Sequence, residues 1–260
     1  MSNEHNIIGF LLINKPKNLT SRDCINKLQK LLPKKTKIGH AGILDIFATG
    51  LLIVGIGREA TRFFKYLMKL DKQYVTKATL GKLTNTLDYT GELVKTCDKL
   101  VTAEQIEQSI GSFGDNYNQI PPLFSALKWK GERLSDLTRS ATRLDKSLDF
   151  ILRTKQKNVD LYDMKLIHFN FPELTLFAHV SHGTYIRSLV NDVAQKCNSC
   201  ATIYELERTA IGPFNVGDAV ALQDLHSIED IQQHIIDVDT VEQCYKNYLN
   251  DRKDLFKMKI

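Results

Sequence analysis

The chain has 260 residues, 43% hydrophobic and 25% charged, with a formal net charge of +5. That length can bury a core without disulfides or metal, and the composition excludes wholesale disorder and any bilayer-spanning window. Five cysteines without regular spacing exclude a disulfide framework and point to a reducing compartment, while the mildly basic balance admits an anionic partner such as nucleic acid without requiring one.

Taken in chain order, the apolar run Ile7 to Ile13 lacks a basic flank and a small-residue cleavage site, so it reads as a strand, Phe10 to Ile13, and not as a leader. From Lys15 to Lys37 the chain carries Lys15, Lys17, Arg22, Lys27, Lys30, Lys34, Lys35 and Lys37 against the single acid Asp23. This is either a phosphate-facing surface or a solvated helix face. A helix is predicted from about Ser21 to Leu32, opened by the capping-box pair Thr20 and Asp23, stopped by Pro33, with Cys24, Ile25, Leu28, Leu31 and Leu32 inward. Strands are predicted at Leu51 to Ile56, Tyr74 to Leu80, Val159 to Phe171 and Leu174 to Val180. A second helix opens at Thr102 with Gln105 three residues on, and turns Ile106, Ile110 and Phe113 inward. A third follows Thr184, with Ile186, Leu189, Val190 and Val193 as its apolar face. Strands interrupted irregularly by helices and long loops favour an α+β fold, a mixed sheet flanked by helices. After Val216 the chain turns acidic, with Ile228, Ile231, Ile235 and Ile236 at helical spacing, and is expected to form a small subdomain over 217–260. Cys197 and Cys200 make one CxxC, but no second pair or matching histidines accompany it, so no metal site is expected.

Three stretches carry possible chemistry. In His40 to Gly50, Asp45 stands among Leu44, Ile46 and Phe47, where burial would raise its pKa unless a cation compensates. The plain alternatives are that Asp45 caps a short helix starting at Ile46 and that His40 is a structural imidazole. In Gly183 to Arg187, a Thr184 N-cap would put Arg187 in the first helical turn, where the macrodipole disfavours a cation by up to ~1 kcal/mol. Either Arg187 points to solvent, or a carboxylate pairs with it; pairing with Asp45 would keep the aspartate ionised and give the arginine its partner. In Lys72 to Gly81, Tyr74 opens a strand followed by Thr84, Thr86 and Asp88; it is either packing or a platform for an extruded base, where stacking is worth ~1–3 kcal/mol.

Together these stretches resemble the TruB family of tRNA pseudouridine synthases. The pieces, in family order from Gly9 to about Phe214, are Lys15-Pro16 with Thr20-Ser21; Lys37 to Asp45 with Ala48-Thr49-Gly50; Glu59-Ala60-Thr61; Lys72-Gln73-Tyr74; Thr84 to Asp88; Gln119 to Lys128 with Gly131 and Arg133; Gly183 to Arg187; and Glu207-Arg208-Thr209. The resemblance implies a pseudouridine-synthase fold over 1–216, largely antiparallel, and isomerisation of the T-loop uridine, position 55, of tRNA without cofactor or metal. Asp45 matches the catalytic aspartate, Arg187 its salt-bridge partner, Tyr74 the residue that stacks on the uracil and assists proton transfer, His40 the residue holding the flipped loop, and Leu206 a wall of the uracil pocket. Lys15, Lys128 and Arg133 are expected to contact substrate, with Lys130 and Arg139 beside the latter two, and 119–140 is expected to close over the T-arm. The cysteine usage and the lack of a leader pattern or bilayer-length window lead to the expectation of a cytoplasmic protein without membrane association, and no obligatory protein partner is inferred. Ile43 and Ile46 stand where the family usually has Thr and Pro, Asn18 replaces a Gly, Ser135 a Tyr and His182 a Lys. The tail after Val216 holds no complete PUA-type domain. A non-catalytic RNA-binding module would predict loss of Asp45 or Arg187, and both are present; a guide-dependent synthase for another RNA is the other rival.

Overall fold

The structure is a computed structural model that describes residues 7–125, 127–129, 132–133 and 146–257. The first third runs β1 (Gly9–Lys15), α1 (Ser21–Gln29), β2 (Ile38–His40), β3 (Thr49–Ile56), α2 (Gly57–Leu67) and β4 (Lys72–Leu80). Next come β5 (Lys82–Thr84), β6 (Leu93–Thr96), α3 (Ala103–Gly111), β7 (Asn116–Gln119), the short β8 (Lys128–Trp129) and β9 (Glu132–Arg133), and α4 (Lys146–Thr154). The remainder is β10 (Lys157–Asn170), β11 (Glu173–Val180), α5 (Ile186–Lys196), β12 (Ala201–Ile211), β13 (Phe214–Asn215), β14 (Val220–Ala221), α6 (Ile228–His234) and α7 (Val238–Lys257). Two compact units result, Met1–Tyr74 with Leu206–Ile260, and Val75–Glu205, so the boundaries fall within β4 and β12.

In the first unit β1 pairs antiparallel with β3, from Gly9 opposite Ile56 to Lys15 opposite Gly50, and parallel with β14. The sheet is buried on both faces, which is why β1 and β3 read as continuous apolar runs. Leu11 and Ile13 point to a layer with Cys24, Ile25 and Leu28 of α1 and Ile231 of α6. Phe10 and Leu12 point the other way, to Phe63 and Leu67 of α2 and Val241 of α7. Arg208 of β12 runs parallel beside Gly50 of β3; a Cβ on Gly50 would fall 2.3 Å from the Arg208 carbonyl, and its φ of 103° suits only glycine. The tail after Val216 is knitted into this unit: Phe10 and Ile236 exchange two backbone hydrogen bonds at 2.7 Å, so Ile236 lies in a β-bridge and not in the expected helix.

In the second unit β10 pairs antiparallel with β11 and with β7. β11 alternates, burying Leu174, Leu176, Ala178 and Val180. α5 buries most of its surface, and α3 is tied to it by the Ser109 hydroxyl on the Val193 carbonyl at 2.8 Å. The capping boxes at Thr20/Asp23 and Thr102/Gln105 both form, but α1 ends at Gln29, short of Leu32, and α5 is capped by Tyr185, not Thr184.

Candidate active site

Asp45 lies in the loop from β2 to β3. No helix follows it; a single turn, closed by the Ala48 N–H on the Asp45 carbonyl at 3.1 Å, leads into β3, so helix capping is not its role. The loop is gripped through its main chain. The Asn18 N–H and the Lys15 ammonium donate to the Ile46 carbonyl at 2.9 and 3.4 Å, and the Leu44 N–H donates to the Ser21 hydroxyl at 2.9 Å. Asn18 reaches this position at a φ of 68°, which asparagine tolerates in place of the family's glycine. Ile43 and Ile46 themselves are 64% and 57% exposed, so their side chains differ from the usual Thr and Pro without releasing a loop held by its backbone.

Lys15 corrects the expectation that it contacts substrate. It is completely buried, and its ammonium donates to the carbonyls of Pro16 and Leu19 at 2.9 and 2.7 Å as well as to Ile46. With three carbonyls for three protons and no exposed surface, it cannot meet a phosphate; it anchors the Asp45 loop. Burial pushes its pKa down to about 8, with neighbouring charges, Asp45 among them, opposing the shift.

Arg208 is the residue that sequence reasoning missed. It is 2% exposed and donates to the carbonyls of Leu51, Ile43 and Gly42 at 2.9, 3.3 and 3.4 Å. Burial lowers its pKa, and the neighbouring Tyr74 works against that shift. One buried cation thus holds the backbone leading to Asp45. A signal was present: Leu206, Arg208 and Ala210 alternate on the buried face of β12, and an arginine among apolar inward positions needs a polar reason. Tyr74 and Leu206 are themselves buried, at 9% and 6% exposure.

His40 ends β2 and lines a cleft of about 480 Å³ with Arg22, Lys37, Arg58, Arg62 and Phe64. Burial, then the charges of Arg208 and Arg22, lower its pKa, with a Gly42 backbone hydrogen bond opposing. The cleft therefore joins a neutral imidazole to four cations, a combination suited to a nucleic-acid backbone beside a base.

In the second unit Arg187 is 5% exposed, which excludes the solvent-facing alternative. Its guanidinium lies 3.6 Å from the Asp88 carboxylate and donates to the carbonyls of Thr86 and Phe124 at 2.7 and 3.0 Å. Asp88 is held in turn by the Thr86 and Thr90 hydroxyls. The sequence places Asp88 in the loop beyond Tyr74 but gives no sign of this role. Lys128 and Arg133 face each other in the β8–β9 hairpin as backbone partners. Lys130, Ser135 and Arg139 lie outside the described residues. Cys200 is bonded to Cys97, 103 positions away, a pairing that the irregular cysteine spacing did not announce. Cys197 stays a buried thiol whose pKa burial raises. Among the described residues no His, Cys, Asp or Glu cluster is arranged to hold a metal, and no helix is long and apolar enough to cross a membrane.

A family model for TruB family pseudouridylate synthases, N-terminal domain, matches residues 29–186. The chain is 35% identical to tRNA pseudouridine synthase B of Clostridium kluyveri, over 93% of this chain and 80% of the relative. It is 36% identical to tRNA pseudouridine synthase B of Thermotoga maritima, with coverages of 91% and 72%, and 37% identical to pseudouridylate synthase TRUB1 of Mus musculus, with 87% and 70%. A solved Cbf5-Nop10-Gar1 complex shares its fold, with a TM-score of 0.64 at 24% identity over 92% of this chain and 59% of that one. An H/ACA RNP bound to a substrate RNA containing 2'-deoxyuridine does so with a TM-score of 0.60 at 23% identity, over 84% and 52%. With the Asp45 loop clamped by Lys15 and Arg208 and a cationic cleft beside His40, the family-model match and these relatives over most of the length make the chain a member of the TruB family of pseudouridylate synthases.

Proposed function

We propose that this protein converts the T-loop uridine of tRNA, position 55, to pseudouridine in the cytoplasm, acting alone, with Asp45 as its catalytic carboxylate. The relatives named tRNA pseudouridine synthase B support tRNA as the substrate. The observation that carries the reading is the loop of Asp45, fixed at Gly42, Ile43, Leu44 and Ile46 by partners from α1, β12 and the β1–α1 turn. Such fixing holds a reacting group within the tolerance that catalysis needs.

The reaction breaks the N1–C1′ bond, turns the uracil and joins C5 to C1′; the C5 proton is lost and N1 gains one, so atoms and electrons balance within the isomer. Asp45 either adds to the sugar carbon or takes a sugar proton, and both routes need it ionised. Arg187 is proposed to pair with it and keep it so. Tyr74 would stack on the uracil and assist the proton step. Leu206 would wall the pocket, and His40 would fill the space the flipped uridine leaves. Lys128, Arg133 and the 119–140 segment would meet the T-arm. Incubating the protein with an unmodified tRNA transcript and mapping pseudouridine by position tests the assignment. Asp45→Asn is expected to abolish product while tRNA affinity stays within about threefold; full turnover by that variant would end the reading.

A further inference from the structure

The first turn of α5 carries Arg187, yet its N-cap residue, Tyr185, contributes no side-chain cap. The missing function comes from β7. The Gln119 side chain, 2% exposed, accepts the Tyr185 N–H at 2.8 Å and donates to the Tyr185 carbonyl at 3.0 Å. One amide therefore grips both polar groups of a single residue, two positions before the arginine. That carbonyl also accepts the first helical bond, from the Leu189 N–H at 3.0 Å, so the grip sits at the start of the helix's own ladder.

The amide's orientation is itself enforced. Its N–H₂ also donates to the Tyr117 hydroxyl, and burial, then the charge of Asp192 on α5, raises the Tyr117 pKa, so the phenol keeps its proton. Tyr117 is held edge-on by Phe113, with ring centroids 5.0 Å apart, and Lys196 lies 4.5 Å over Phe113 and beside Asp192. Five residues beyond Gln119, the Phe124 carbonyl accepts from Arg187 itself at 3.0 Å. The segment from Gln119 to Phe124 is thus fastened at both ends to the turn that bears the arginine.

We infer that Gln119 is a positioning residue for the isomerisation: its amide, held by the Tyr117 hydroxyl, sets the backbone turn that carries Arg187. This rests on the role proposed above for Arg187. A buried glutamine serving only to stabilise β7 would have no need of the Tyr185 N–H and carbonyl together. The arrangement resembles a side-chain N-cap supplied from another element. A small tilt of such a turn moves the guanidinium by a fraction of an ångström, and misplacements of about 1 Å can cost roughly 100-fold in rate.

The test uses the full chain, unmodified tRNA and single-turnover rates at saturating enzyme, with tRNA affinity measured separately. Gln119→Met, equal in length and without polar N or O atoms, is expected to slow the chemical step by about tenfold or more while affinity stays within about twofold. Tyr117→Phe, which keeps the ring and removes only the support of the amide, is expected to slow it by roughly threefold, and it stands in if the Gln119 variant fails to fold. Gln119→Asn, too short to span both Tyr185 groups, should be no better than Gln119→Met, whereas Gln119→Glu should regain part of the rate as pH falls. Once protonated, the introduced carboxyl again offers one donor and one acceptor to Tyr185, while its ionised form would repel the Tyr185 carbonyl. The groups facing that position are Tyr117 on its own strand, Asp192, Lys196 and Arg187 of α5, and Lys157 opposite it on β10. Unchanged single-turnover rates in Gln119→Met and Tyr117→Phe, or losses that appear only as weaker tRNA binding, overturn the inference. If those variants keep full rate while Arg187→Lys loses it, only the positioning role fails; if the wild-type chain forms no pseudouridine, the function itself fails with it.

Discussion

At the scale of single residues, the site is governed by which polar groups are buried and who holds them. Arg187 and Asp88 form an ion pair with side chains 6% and 7% exposed, which offsets the cost of a guanidinium at the start of a helix. Asp88→Asn preserves shape and removes the charge; it should cost about 3 kcal/mol in a urea melt, the usual penalty for removing one member of a buried ion pair, and slow turnover as well. A loss below about 1 kcal/mol would mean that the carbonyls of Thr86 and Phe124 suffice. His40 provides a pH dependence of definite sign. Its folded-state pKa lies below the ordinary 6.5, burial being the main cause. Above pH 6.5 neither state is protonated and His40 is neutral toward stability; as pH falls below that value the unfolded chain takes the proton first, and folding weakens until the folded pKa is passed. Urea midpoints taken at stepped pH should therefore fall less steeply on the acid side in His40→Asn than in the wild type, and equal slopes would exclude a buried neutral imidazole.

At the scale of elements, the C-terminal helix serves the strand that carries Tyr74. α7 sends the Tyr248 hydroxyl and the Arg252 guanidinium to the buried Asp71 carboxylate, each at 2.6 Å, and Tyr245 packs edge-on against Phe63 of α2 at 5.5 Å. Burial and then Asp71 raise the Tyr248 pKa, so the phenol remains a donor at neutral pH. Asp71 directly precedes β4, and its carbonyl accepts the Gly212 N–H at 3.0 Å. The acidic tail is thus a clasp on the root of the strand that opens with Lys72 to Tyr74. Replacing Tyr248 by Phe and Arg252 by Ala together should destabilise the protein by about 2 kcal/mol, mostly through the stranded carboxylate, because the Arg252 side chain is 22% exposed and its own share is screened. Amide exchange should quicken both in α7 and at Lys72 to Tyr74; quickening confined to α7 would show that the clasp does not reach the strand.

For the whole molecule, the net charge of +5 says less than where the cations stand. Lys15, expected among phosphate contacts, is sealed inside, whereas Arg22, Lys37, Arg58 and Arg62 line one cleft with His40. If they meet phosphates, tRNA affinity should fall steeply with salt, and Arg58→Gln with Arg62→Gln should reduce the log–log slope by about 2, roughly one per contact. A slope unchanged by the pair would remove the cleft from the binding surface. The capping boxes, the apolar runs of β1 and β3, the acid in its loop and the family motifs were all legible from residue order, since caps act within one turn and burial periodicity repeats within a few residues. What only the tertiary structure decided lies between residues far apart: Arg208 reaching back to Gly42 and Ile43, Gln119 gripping Tyr185, Asp71 taken by α7, Cys97 joined to Cys200. A local pattern reveals that a residue must be buried, but the partner that makes its charge or amide tolerable there is chosen by chain closure over long sequence separations, and no spacing rule encodes that choice.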